Sequence, residues 1–538
     1  MTTSLFRPDD TCWRVERASR MGVIVDAADY FVALREAMIA ARDAVYLVGW
    51  DFDLRIDMMP GQSDENGNAP DGYPNRLGDF FRALIAARPE LDLRVLKWDG
   101  AMLAAIGKQL APTLWMQWLS DERIHFQLDS YHPVGACHHS KIVVIDDALA
   151  FCGGIDATVD RWDTPDHEPD DPRRVKPDGT PFDPWHDCTT VLEGPVARAL
   201  GDLARMRWHK ATGEDLEPTR GDGPSPWPDS VEAGLRDVDV AIARTAPRYG
   251  GDPLVNEIEH LYLALIASAK RHIYMESQYL AAGSLCEALE KRLREPDGPE
   301  VVVINPQSAE SFLEDEAMHS VRSLMIERLE EADSHGRLRI HHPVNDAGTP
   351  IYVHAKVVVI DDRALRIGSS NIDNRSMGFD TECDVAVEAT NDEQRSYVAG
   401  MMHRLLAEHM GSDADTVAKT IRERGSLVAA IDALNEGKGR GLRKIEALPL
   451  DPLERALAET RLFDPRYEER AGVRERAKHA VKRGLSPHQL GGSVSGLGLG
   501  AFALVALAGV GIYLLAKRRQ QRQPLAAPAV LTDGRLRR

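Results

Sequence analysis

Hydrophobic and polar positions along the chain fall into two matched series. Ala37–Trp50 (AMIAARDAVYLVGW) and Ala264–Gln278 (ALIASAKRHIYMESQ) each read as a helix end running into a strand. A short apolar strand follows in each series, Asp92–Trp98 (DLRVLKW) in the first and Glu300–Asn305 (EVVVIN) in the second. Each then delivers a β-branched run, and the string V-V-I-D-D occurs at Val143–Asp147 and again at Val358–Asp362. Val357–Ile360 has no polar alternation, which predicts a strand buried on both faces. A further strand is expected at Asp187–Glu193 and at Glu382–Glu388, where an acid, a cysteine and a later glutamate coincide. Helices are expected near Pro195–Trp208 and Glu393–Met410. Strands alternating with helices predict an α/β fold, an α/β/α sandwich in each half.

Three stretches interrupt the pattern. Met59–Asn75 and Asp160–Pro184 (DRWDTPDHEPDDPRRVKPDGTPFDP) read as loops, the second an acidic, proline-rich insertion in the first half. Thr219–Asp229 (TRGDGPSPWPD) reads as a linker. The expected organisation is a first half over 1–218, a linker over 219–230 and a second half over 231–412. A charged helical extension over 413–490 then leads to an anchor over 491–520 and a tail over 521–538. Leu497–Ala516 is a run of twenty uncharged, mostly apolar residues followed by Lys517-Arg518-Arg519. As a helix it is long enough to span a bilayer, and no polar face interrupts it. A single-pass C-terminal transmembrane helix is therefore expected. Arg474, Arg476, Lys478, Lys482 and Arg483 lie before it and Lys517, Arg518, Arg519 and Arg522 after it, so charge does not set its orientation. The N-terminal MTTSLFRPDDTCWRVERAS has no apolar signal stretch, which places the catalytic bulk on the cytoplasmic side as an expectation.

Charge narrows the partners. A formal net charge of −19 opposes a protein whose main task is gripping nucleic acid. The six cysteines form no C-x-x-C pair, so they read as small buried residues in a reducing compartment.

The chemistry lies at the ends of the β-branched runs. His139, Lys141 and Asp146 follow the spacing H-x-K-x4-D, and His354, Lys356 and Asp361 repeat it. Two residues apart on an extended backbone, each His and Lys face one side. An imidazole beside an ammonium suits an anionic, phosphate-like group. Gly153-Gly154-Ile155-Asp156 closes the first copy where Gly368-Ser369-Ser370-Asn371 closes the second. Ser and Asn add hydroxyl and amide donors in the second copy. Asp156 in place of Asn371 makes the site asymmetric.

These paired motifs and their tails resemble the phospholipase D superfamily, and the tails resemble its phospholipid-acting branch. The resemblance covers roughly residues 20 to 410. It implies two tandem halves packed about a pseudo-two-fold axis, with the two H-x-K strands meeting there. It implies one active site in which one histidine forms a phosphohistidine and the other serves as acid and then base. Lys141 and Lys356 stabilise the phosphoryl oxygens, and Ser369 and Asn371 contact phosphate. The matched later strands supply the acids that orient the histidines, Glu382 to His139 and Asp187 to His354, across the axis. Asp146 and Asp361 hold the motif loops. Glu276-Ser277-Gln278-Tyr279 resembles the segment preceding the second motif in eukaryotic-type relatives, with Ser277 departing from the usual Asn. His138 and His186 read as bystanders, with Trp185-His186 near the cleft. No metal or other cofactor is implied, and the chain shows no additional ligand cluster.

The expected activity is phosphodiester cleavage of glycerophospholipids, giving phosphatidate and an alcohol. Expected partners are phospholipid, membrane and a water or alcohol acceptor, with no nucleic acid and a monomeric catalytic unit. Transfer of a phosphatidyl group, as in a cardiolipin synthase, is the alternative. A phosphodiesterase nuclease and a non-catalytic lipid-binding protein rank below it.

Overall fold

Residues 4–100, 123–221, 223–308, 312–435, 437, 439–450, 452, 455, 458 and 464 are described by a computed structural model. In the first half the strands are β1 (Arg14–Val25), β2 (Ala44–Gly49), β3 (Asp92–Trp98), β4 (Ile124–Asp129), β5 (Ile142–Ile145), β6 (Leu149–Gly153), β7 (Trp185–His186) and β8 (Cys188–Glu193). The second half carries β9 (Leu235–Ala246), β10 (Val255–Asn256), β11 (His272–Glu276), β12 (Glu300–Ile304), β13 (Leu338–Val344), β14 (Tyr352–Val353), β15 (Val357–Ile360), β16 (Ala364–Gly368) and β17 (Glu382–Glu388). A last strand, β18 (Gly441–Lys444), follows.

The two halves use one strand order. From the centre outward the first half runs β1-β8-β6-β5-β2-β3-β4, and the second runs β9-β17-β16-β15-β11-β12-β13. β1 and β9 pair antiparallel, from Arg14 opposite Ile242 to Met21 opposite Leu235, and join the halves into one sheet. The repeated order is the sheet expression of the sequence repeat. The sheet folds over at these long strands, so that β6 faces β16 and β17. Cys152 Sγ there lies 3.8 Å from Cys383 Sγ.

Burial explains the unalternated runs. Every residue of β5 (IVVI) and β15 (VVVI) is buried. One face of each joins a central core shared by both halves and by the helices Pro195–Thr212 and Asp392–Met410. The other face packs under outer helices: Ala27–Ala40 and Leu77–Ala87 in the first half, Glu257–Ser268 and Gly283–Arg294 in the second. Each buried Val or Ile contributes roughly 1.5–3 kcal/mol. A one-residue slip would exchange two filled faces, which pins the register that positions the motifs.

The structure departs from expectation at the end of the second half. The sheet does not close at residue 412. After the helices Ala414–Arg424 and Leu427–Leu434, β18 pairs antiparallel with β13, Leu442 opposite Pro343. Further on, Asp464 accepts the backbone N–H groups of Asn374 and Arg375 at 3.0 and 2.9 Å. The insertion Asp160–Pro184 is a loop as expected, and it buries Asp163 and His167 fully. The expected membrane anchor lies outside the described residues. Among those described, no helix is long and apolar enough to cross a membrane.

Candidate active site

Each motif is threaded against the opposite half. His138 bridges Thr381 in parallel, and the N–H groups of His139 and Ser140 donate to the Thr381 carbonyl at 2.8 and 3.0 Å. In the second copy β14 runs parallel to β7, with Val353 opposite His186, and the His354 N–H donates to the His186 carbonyl at 2.8 Å. The residue after each supporting carbonyl is an acid, Glu382 or Asp187. Backbone pairing therefore carries each acid to the imidazole of the other half.

His139 Nδ1 lies 3.1 Å from both carboxylate oxygens of Glu382. His354 Nδ1 lies 2.7 Å from Asp187 Oδ2. With the acid ionised, Nδ1 carries the proton and the Nε2 lone pair is available. The imidazole rings stand 6.5 Å apart between centroids at 65°. Two approaches of roughly 3 Å to one phosphorus centre fill such a gap. The His139 side chain is 14% exposed and that of His354 is 4% exposed, so the first is the more open of the two.

The ammonium groups flank the pair. Lys141 Nζ donates to the His139 carbonyl at 2.9 Å and lies 3.0 Å from Asp156 Oδ2. Lys356 Nζ donates to the His354 carbonyl, and this lysine is wholly buried. Asp156 also accepts the Trp50 N–H at 3.1 Å, so it serves Lys141 and the Trp50 backbone. Asn371 donates its amide to Gln278 Oε1 at 3.4 Å, while its buried Oδ1 has no hydrogen-bond partner among the described residues. Ser369 is placed differently from the expected phosphate contact. Its hydroxyl donates to Glu382 Oε2 at 2.5 Å and accepts the Cys383 N–H at 3.0 Å. It holds the acid behind His139.

The two motif aspartates sit away from the imidazoles. Asp146 accepts the N–H groups of Arg42, Asp43 and Ala44 at 2.8, 2.8 and 2.9 Å. Asp361 accepts those of Lys270, Arg271 and His272 at 2.9, 2.8 and 2.8 Å. Each carboxylate ties its motif loop to the start of a neighbouring strand. Both residues have φ of 53°, a left-handed turn that aspartate tolerates better than most side chains.

Burial dominates the electrostatics. It holds His139 and His354 well below the usual imidazole range, with Lys141 and Lys356 adding like-charge repulsion to both. Burial also pushes Glu382 up to about 8 and Asp187 up to about 7, and brings Lys356 down to about 7. Burial thus favours a neutral imidazole, the form that can act as a nucleophile. A bound phosphodiester anion would offset the lysine charge and let one imidazole hold a second proton.

Three further groups support the pair: sequence reasoning set Trp185 near the cleft and Gln278 in a resembling segment, and did not single out Ser376. Ser376 donates its hydroxyl to Glu382 Oε1 at 2.8 Å. Trp185 packs on the His354 ring, 5.1 Å between centroids, with the Arg161 guanidinium on its face at 4.2 Å. Gln278 donates to the Tyr352 hydroxyl at 2.9 Å, linking the Glu276–Tyr279 segment to β14. Ser376 lies five residues after Asn371, and only the turn between them brings its hydroxyl back. His138 meets Asp129 at 3.0 Å and the Thr381 hydroxyl at 3.0 Å, and burial lowers it to about 4.

Residues 262–405 match the family described as "Cardiolipin synthase, PLD-like domain". The phospholipase D alpha 1 of Nicotiana tabacum is 24% identical over 515 residues, 70% of this chain and 63% of that protein. Phospholipase D1 of Schizosaccharomyces pombe is 24% identical over 52% of this chain and 28% of its own length. These matches support the phospholipase D superfamily as the family of this chain. It spans under two thirds of the length of the tobacco member. Among solved structures, the superfamily protein Nuc of Salmonella typhimurium covers 31% of this chain with a TM-score of 0.23. The phosphatidylserine synthase of Haemophilus influenzae Rd KW20 aligns over 79% of this chain and 96% of its own, at 12% identity and a TM-score of 0.48.

Proposed function

We propose that the chain is a phospholipase D-type phosphodiesterase acting on glycerophospholipids at a membrane. One observation carries the reading: two imidazoles, each backed by a buried acid of the opposite half, face each other with an ammonium beside each. The lipid phosphodiester enters as an anion between Lys141 and Lys356. The His139 Nε2 lone pair attacks phosphorus, a P–N bond forms and the P–O bond to the head group breaks. The imidazolium of His354 gives its proton to the leaving alkoxide. Neutral His354 then takes a proton from water, the hydroxide attacks phosphorus, the P–N bond breaks and phosphatidate leaves.

A second reading is phosphatidyl transfer, supported by the family description matched by residues 262–405. It uses the same first half-reaction with an alcohol in place of water. The apolar run Leu497–Ala516 supports a C-terminal membrane anchor, with the catalytic part on the cytoplasmic side. The test is incubation with mixed vesicles of phosphatidylcholine, phosphatidylethanolamine and phosphatidylglycerol, with and without butanol, and identification of products by mass. Phosphatidate, replaced in part by phosphatidylbutanol when butanol is present, is the expected outcome. Cardiolipin formed from phosphatidylglycerol would favour the second reading. Inert phospholipid with cleaved DNA or RNA would overturn both.

A further inference from the structure

Much of what surrounds His139 hangs on one short helix, Asn374–Gly378, just past the second motif. Its Ser376 hydroxyl donates to Glu382 Oε1 at 2.8 Å and accepts the Asn371 N–H at 3.1 Å. Its Arg375 guanidinium donates to both oxygens of Asp380, at 2.8 and 2.7 Å, and to the Gly135 carbonyl at 2.9 Å. Asp380 in turn accepts the Cys137 N–H at 2.8 Å, two residues before His139. The helix therefore holds the acid behind His139, the chain leading into His139, and the backbone of Asn371.

A helix of five residues is not held by its own hydrogen bonds, and its leading N–H groups need acceptors from elsewhere. The Ser376 N–H donates to Asp373 Oδ1 at 2.7 Å, a cap from the preceding residue. The two N–H groups ahead of it look further away. Those of Asn374 and Arg375 donate to Asp464 at 3.0 and 2.9 Å, and the Asn374 side-chain amide donates to the same carboxylate at 2.7 Å. Asp464 is 1% exposed and comes from the charged extension beyond the second half. Three donors on one buried carboxylate repeat the arrangement of Asp146 and Asp361, each of which ties a motif loop in place. Seating this second acid beside Asp373 is costly. Burial, and after it the charge of Asp464, hold Asp373 well above the ordinary carboxyl range. Asp373 alone caps the turn, so the added acid secures more than its shape.

We propose that Asp464 is a positioning residue for phosphoryl transfer: by fixing the helix Asn374–Gly378 it sets Ser376, Glu382 and, through them, the imidazole of His139. The inference rests on the phospholipase D-type reading above. It makes the extension that leads on to the apolar run Leu497–Ala516 part of the catalytic unit rather than a spacer. Without Asp464 two backbone donors lose their acceptor and the turn loosens. Ser376 then no longer holds Glu382 Oε1 toward His139 Nδ1. Ser369 still holds Oε2, so the loss is partial. The competing role is a staple that keeps the extension packed without reaching Glu382.

The test uses the full chain in detergent and follows single-turnover nitrophenol release from a nitrophenyl phosphodiester across substrate concentrations, beside thermal melts. The forms compared are the parent, Asp464→Ala, Ser376→Ala, their double variant and the control Glu300→Ala. Glu300 is a staple of similar kind, accepting the N–H groups of Leu427 and Val428 at 2.6 and 3.4 Å beside the helix Leu427–Leu434. Asp464→Ala should slow release at saturation about tenfold. Its half-saturating concentration should stay within about twofold of the parent's. Ser376→Ala should lose a similar amount, and the double variant should be slower than either single by no more than about twofold, because both break one chain of contacts. Glu300→Ala should lower Tm and keep the parent's rate. A parental rate per folded molecule in Asp464→Ala would overturn the proposal in favour of the staple. So would a double loss close to the product of the single losses, or an equal slowing by Glu300→Ala. If Asp464→Ala does not fold, Asp464→Asn, which keeps one acceptor oxygen, enters the same comparison with the same deciding results. A parent that releases no nitrophenol would overturn the phospholipase D-type reading itself, and the inference with it.

Discussion

Replacing Glu382 with glutamine removes a charge while keeping the side chain's shape. His139 Nδ1 and the hydroxyls of Ser369 and Ser376 converge on this buried carboxylate, at 3.1, 2.5 and 2.8 Å. A carboxylate accepts on both oxygens, whereas an amide has one acceptor and turns an NH₂ group toward one of the three. The serine hydroxyls can rotate away, but the imidazole N–H cannot. Charge matters most during reaction. Burial pushes Glu382 up to about 8, and the cation created on His139 by phosphorylation draws the acid into its ionised form. A hydrogen bond to a charged partner is worth roughly 1.5–3 kcal/mol, so Glu382→Gln should slow phosphoenzyme formation about 10- to 150-fold. The assay is single-turnover release of nitrophenol from an activated phosphodiester, run beside thermal melts. The melts carry a second signature. A carboxyl raised from an ordinary value of 4.5 to about 8 adds stability at low pH that is lost as pH rises through that interval. The variant lacks this titration, so its Tm relative to the parent should climb between about pH 4.5 and pH 8. A rate within about threefold of the parent, with an unchanged pH trend, would refute the positioning role.

Asp361→Ala should cost about 2–4 kcal/mol, because three backbone donors lose their acceptor, and Asp146→Ala should cost a similar amount. Denaturant melts measure this, and the folded fraction should keep its rate within about tenfold. His139 and His354 are both held well below the ordinary imidazole value, so they favour folding above about pH 6.5 and lose that contribution as pH falls below it. The double variant His139→Gln/His354→Gln should flatten the acid limb of the stability–pH curve, and an unchanged limb would show that neither imidazole is held neutral. A chain ending after residue 484 should remain folded, with activity on short-chain lipid. One ending at 412 should aggregate or melt earlier, because it exposes the β13 edge and removes the Asp464 acceptor. Equal stability of the two truncated chains would contradict that boundary.

The repeat was legible because both motif strands are buried on two faces and leave an unalternated apolar string that composition alone does not produce. The partnering of His139 with Glu382 and of His354 with Asp187 was legible for a related reason. The acids head strands whose cysteine and glutamate recur at the same offsets, and the resemblance carried the crossing. Ser369 was not legible in the same way. A hydroxyl can serve a phosphate or a neighbouring carboxylate, and only the fold shows which lies within reach. β18 escaped notice because GLRK is four residues long and half polar, as suits an edge strand. The insertion was read as a loop from its proline and aspartate content, which it is, but nothing in that content marks Asp163 and His167 as buried.

The proposed mechanism divides the labour between the two histidines, His139 as nucleophile and His354 as acid and base. It is tested most directly by the intact mass of the protein after acid-free quenching with a nitrophenyl phosphodiester, whose leaving group needs no proton. His354→Ala should still gain the phosphoryl adduct and accumulate it, since no base remains to activate water. His139→Ala should gain none. An adduct on His139→Ala with none on His354→Ala would contradict the assignment, and no adduct on any form, parent included, would contradict covalent catalysis itself.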